Sequence, residues 1–144
     1  MKFKSLCVAV MFALTSVAVV AQESPASRAF AHYEAIRTAL SSDSIAGVKD
    51  HALSLRADAV SLAGADVATH VDALAKAEKI EDARKHFGEL SALLVPKLLE
   101  AKLPGMHGFM CPMLKKTWVQ KGADVQNPYY GKSMLSCGTA IKDR

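Results

Sequence analysis

Between residues 27 and 102, apolar side chains recur every three to four positions, the period of a helix with one buried face. Phe30, Tyr33, Ile36 and Leu40 form such a stripe and predict a first helix over Ser27–Leu40. Ser41-Ser42-Asp43 interrupts it and offers a cap to the next. Val48, Ala52, Leu55, Ala59 and Leu62 predict a second helix from Ser44 to Ala63, closed by Gly64. Asp66 is the candidate cap of a third, shorter helix with Val67, Val71 and Leu74 on one side. Ile80, Ala83, Phe87, Leu90, Leu94 and Leu98 line a fourth and longest helix. Gly88 weakens it slightly, Pro96 predicts a kink, and Pro104-Gly105 stops it. These stripes predict an all-α fold: a small up-and-down bundle of about four helices with an irregular C-terminal segment packed on it.

The polar positions fall between the stripes. Arg37, Asp58, Lys79, Glu81, Lys85 and Glu89 read as solvated outer-face charges. His32, His51, His70 and His86 are scattered singly through the helices and read as surface or boundary residues. No Ser/His/Asp or paired-carboxylate arrangement follows from these spacings.

The first 21 residues break the helical pattern differently. Lys2 and Lys4 precede an uncharged, strongly apolar run from Ser5 to Ala21. Val19 and Ala21 fit the small-residue rule before a cleavage site, and a polar stretch begins at Gln22. The run is a little short for a comfortable membrane span of about 20 residues. The expectation is a cleaved signal peptide over 1–21 that takes Cys7 with it. A single domain over 22–144 follows, periplasmic, with no membrane segment.

Charge sharpens the division at Pro104. The full chain carries a formal net charge of +4, but residues 22–102 carry −2 and residues 103–144 carry +4. The basic excess is thus concentrated in the last third, and is too sparse for the dense basic face of a nucleic-acid binder.

That last third, 103–144, also holds the chemistry. Beyond residue 21, every methionine (Met106, Met110, Met113, Met134), both cysteines (Cys111, Cys137) and the single tryptophan lie there, together with His107. Thioether and thiolate are soft donors that select Cu(I) or similar ions. An extended backbone at Cys111-Pro112-Met113 would put both sulfurs on one side. Met134 and Cys137 would share one face of a helical turn, with Gly138 as a cap. The candidate metal ligands are therefore Cys111, Met113, Met134 and Cys137, with His107 or Met110 as possible additions. Trp118, Tyr129 and Tyr130 read as the aromatic plug that seats the segment on the bundle.

The two cysteines support a competing reading. In an oxidising compartment Cys111 and Cys137 would pair, closing a loop of twenty-seven residues and adding roughly 3–4 kcal/mol of stability. The domain would then be a stapled interaction module without metal. An enzyme is not expected: there is no Cys-x-x-Cys pair, and no Cys–His pairing can be inferred.

Cys111-Pro112-Met113, then Trp118, then Asn127-Pro128-Tyr129-Tyr130-Gly131 through Met134-Leu135-Ser136-Cys137-Gly138, resembles the signature of a bacterial domain of unknown function. That domain occurs alone in exported proteins and at the C-terminus of CusB-like adaptor subunits of copper and silver efflux pumps. Ala83 to Ser91 is similar to the last long helix of the same family. The resemblance implies periplasmic heavy-metal handling, copper foremost, with an efflux component as a partner. The chain has no adaptor body, so a free-standing binding protein, chaperone or accessory is what the resemblance leaves.

Overall fold

The computed structural model describes residues 22–142. The expected signal segment over 1–21 lies outside them. Four helices are present: α1 (Pro25–Ser41), α2 (Val48–Ala63), α3 (Val67–Ala75) and α4 (Ile80–Glu100). Each expected stripe faces inward. Tyr33, Ile36, Leu40, Leu55, Val71, Leu74, Phe87, Leu90, Leu94 and Leu98 are all fully buried.

The helix ends follow local chemistry more closely than the stripes do. Ser24 caps α1, its side chain accepting the Ser27 N–H at 3.1 Å, and Pro25 begins the helix where no N–H is needed. The second helix starts at Val48, not Ser44. The Ser44 hydroxyl instead accepts the Ala46 N–H, and Gly47 takes a left-handed conformation at φ 76°. Those local bonds compete with helix and hold 44–47 as a turn. Asp66 stands at the start of α3, but its side chain makes no capping hydrogen bond. Helix α4 continues past Pro96 to Glu100.

The fold is not purely all-α. Strands β1 (Met106–Cys111), β2 (Lys116–Lys121) and β3 (Thr139–Ala140) form an antiparallel sheet in the order β2-β1-β3. Thr117, Trp118 and Val119 favour a pleated, half-buried surface. Phe109 pairs with Trp118 in register. The hairpin turns where the Lys115 N–H reaches the Cys111 carbonyl at 2.8 Å, and the Gly122 N–H closes its far end on Gly105. The period-two signal is short and broken by Gly108, so composition alone read the segment as irregular.

Helices α1 to α4 pack in sequence, and the sheet lies against α4. Aromatic rings join the layers. Tyr33 lies 4.8 Å from Phe87, Phe87 lies 6.0 Å from Tyr129, and Tyr129 meets Trp118 edge-on at 6.0 Å. Gly88 has a specific task here. A Cβ at that position would come within 2.8 Å of Lys116 Cδ, so the glycine is the notch in which the lysine stem crosses α4. Among the described residues, no helix is long and apolar enough to cross a membrane.

Candidate functional site: the sulfur-bearing end of the sheet

Asn127 organises the segment that follows the hairpin, and it is fully buried. Its Oδ1 accepts the Tyr129 N–H at 2.8 Å, an Asx-turn that Pro128 favours. Its Nδ2 donates to the Cys137 carbonyl, and its own N–H donates to the Leu135 carbonyl, both at 2.7 Å. One side chain thus ties the Asn-Pro-Tyr-Tyr-Gly turn to the chain around Cys137. Gln120 does similar work at the other end. Its Oε1 accepts from Trp118 Nε1 at 2.9 Å and from the Gln126 N–H, and its Nε2 donates to the Asp124 carbonyl.

Two arginines fasten this assembly to the helices. Arg84 on α4 donates to the carbonyls of Pro128 and Leu40 and pairs with Asp43 at 2.7 Å. Arg37 on α1 is not a solvated outer-face charge: it is 3% exposed. It pairs with Glu34 and reaches Ser41, Thr38 and both the side-chain and backbone oxygens of Gln126. Nothing in the local pattern of α1 distinguishes a buried arginine: three of its partners lie on the same helix, and the one that covers it, Gln126, comes from 89 residues away.

The sulfurs divide by burial. Cys111 ends β1 with its thiol in the core, 0% exposed. It lies near Tyr129, whose hydroxyl donates to the Thr117 carbonyl. Burial pushes the Tyr129 phenol well above its ordinary range, and the nearby Cys111 adds to the effect. Pro112 and Met113 belong to the hairpin turn, not to an extended strand, so the expected one-sided Cys111–Met113 pair does not form. Met113 is 63% exposed. Met110 is also exposed, across the pleat from Cys111. The expected turn between Met134 and Cys137 does form: a 3-10 helix spans Gly131–Met134, and the Cys137 N–H donates to the Met134 carbonyl at 3.0 Å. Both side chains are half-buried, and His107 is exposed on β1.

Strand pairing relates the two sulfur-bearing stretches. Met110 pairs with Thr139 and Phe109 with Ala140. Gly138 and Cys137 lie immediately before β3, outside the paired residues. Gly138 is not a helix cap. A Cβ there would stand 2.6 Å from the Trp118 ring, so the glycine permits close approach. Both thiols are free. Among the described residues no three His, Cys, Asp or Glu side chains are gathered so as to hold a metal ion.

The histidines are not scattered singly in space. His32 on α1 and His51 on α2 bring their Nδ1 atoms to 3.2 Å. His70 on α3 and His86 on α4 converge on one oxygen of Glu89, at 3.3 and 3.0 Å. No spacing along the chain signals the contacts between helices.

The architecture defines a class only: a four-helix bundle carrying a small antiparallel sheet and a sulfur-bearing C-terminal turn. No family model, curated protein or solved structure matches the chain.

Proposed function

We propose that this is an exported, periplasmic protein that binds or hands on a soft heavy-metal ion, copper foremost, through its C-terminal sulfur segment. The observation that carries the reading is the meeting of two sulfur-bearing stretches at one end of a braced sheet, with Met110, Met113, Met134 and Cys137 all reached by solvent. Thioethers bind Cu(I) without losing a proton, and the Cys137 thiolate would offset the ion's charge. Cys111 would join only if the hairpin turn opened, because its thiol faces the core. Residues 1–21 support export, and the resemblance around Cys111–Gly138 supports an efflux-system partner.

Reduced protein should take up Cu(I) in competition with a chromogenic chelator. Changing both Cys111 and Cys137 to Ser should abolish uptake; stoichiometric binding in that double variant would sink the site.

A second reading rests on the two free thiols of the C-terminal segment, Cys111 and Cys137. In an oxidising compartment the two thiols would join as a staple, and the domain would be an interaction module without metal. Intact mass before and after reduction and alkylation separates the two: a fully oxidised native protein indifferent to copper supports the staple.

A further inference from the structure

The geometry points to a second metal site, made by His32 and His51, that takes a borderline divalent ion such as zinc or copper(II). The two imidazoles come from different helices and meet Nδ1 to Nδ1 at 3.2 Å. Zinc–imidazole bonds are about 2.0–2.1 Å, so two nitrogens on one tetrahedral ion stand about 3.3–3.4 Å apart. An ion seated on both Nδ1 atoms at their observed separation would subtend an angle of roughly 100–106°, close to tetrahedral. The pair is thus already at the bite distance of a chelate.

His51 lies in the first turn of α2, and its ring rests on Gly47: a Cβ there would sit 3.5 Å from His51 Cδ2. The His51 N–H is bonded to the Gly47 carbonyl at 3.0 Å. The two rings are tilted by 43° with centroids 5.5 Å apart, so they meet through their nitrogens and are not stacked. Both residues are half-buried, which leaves the remaining coordination positions to solvent or to a partner's side chain. Imidazole suits zinc and copper(II), whereas the sulfur segment suits a monovalent soft ion. The site therefore stands independently of the proposed function.

Without metal, the Nδ1–Nδ1 contact is a hydrogen bond in which one ring donates and the other accepts. Binding an ion at both Nδ1 atoms requires the donor ring to take the tautomer with its proton on Nε2, so the proton moves within that ring. The test is a titration of the purified protein with zinc chloride, following the histidine ring nitrogens by long-range 15N–1H NMR. At one equivalent, Nδ1 of His32 and of His51 should shift together, with the His70 and His86 nitrogens unmoved. His32→Ala and His51→Ala should each weaken zinc uptake by about tenfold or more. Unmoved His32 and His51 nitrogens, or shifts confined to His70 and His86, would overturn the site. The spectrum of the unaltered protein decides the matter even where a variant fails to fold. Cu(I) competition in the cysteine variants reports on the sulfur segment separately.

Discussion

Arg84 and Asp43 stand 2.7 Å apart directly over Gly131, and their ion pair clasps the C-terminal segment to the helices. Gly131 has φ 58°, and a Cβ there would overlap both the Asp43 carboxylate and the Arg84 guanidinium. The glycine is therefore required twice, for its backbone conformation and for space. Gly131→Ala should lower unfolding free energy by about 2–4 kcal/mol. Gly105→Ala is the control: its φ is 72°, nothing lies within 4 Å, and it should cost only about 1–2 kcal/mol. Urea denaturation of both variants makes the comparison. Equal losses would mean that the clasp carries no weight.

The unequal burial of the two thiols gives a kinetic prediction. Iodoacetamide should modify Cys137 in the folded protein, while Cys111 should react only as fast as the domain opens. Peptide mass mapping over a time course reads both rates. Cys111→Ser should cost about 1–3 kcal/mol, because it puts a hydroxyl into the core, whereas Cys137→Ser should stay within roughly 1 kcal/mol. Equal alkylation rates would show that Cys111 is not held inside.

How far the sequence could be read follows from the range of each interaction. The four helices were legible because their apolar stripes repeat over about two and a half to six turns, and one face of each must be buried. The sheet was not, because β3 has two residues and β1 is interrupted by Gly108. The Asn127 turn was visible as Asn-Pro, but its reach to Cys137 was not. Arg37 looks like any helical surface charge until Gln126 is placed beside it. The histidine pairs were invisible for the same reason: nineteen residues separate His32 from His51, and only the α1–α2 packing brings them together. At Cys111-Pro112-Met113 the residues suggest an extended backbone, and the structure holds a turn instead. A hairpin turn was needed to return β2 along β1, and it sends the two sulfurs apart.

Gln120 offers a test of how the hairpin is anchored. Replacing it by Leu would strand the Trp118 indole N–H, the Gln126 N–H and the Asp124 carbonyl at once. The expected cost is about 2–4 kcal/mol. Trp118 is the single tryptophan and fully buried, so its emission reports unfolding directly. Gln120→Leu should shift the denaturation midpoint to lower urea with the same cooperativity. A broadened transition would instead mean that the sheet melts apart from the bundle.

Acid should weaken the fold through three carboxylates whose pKa values are depressed. Hydrogen bonding to Arg84 lowers Asp43, hydrogen bonding to Arg56 lowers Asp72, and hydrogen bonding to His86, with His70 behind it, lowers Glu89. A carboxylate that is more acidic folded than unfolded contributes fully above its unfolded value, about 4, and loses that contribution as pH falls through the folded one. The three are not equal. Arg56 and Asp72 are both widely exposed, so their pair contributes little and Asp72→Asn should be close to neutral. Arg84 is largely enclosed and also holds two backbone carbonyls, so Asp43→Asn should loosen the clasp as well as remove a titration. Melting temperature measured from pH 2 to 7 should fall below about pH 4 in the unaltered protein. The fall should be shallower in Asp43→Asn, whose melting temperature is already lower at pH 7. An Asp43→Asn curve parallel to the parent's would show that the clasp does not titrate with this carboxylate.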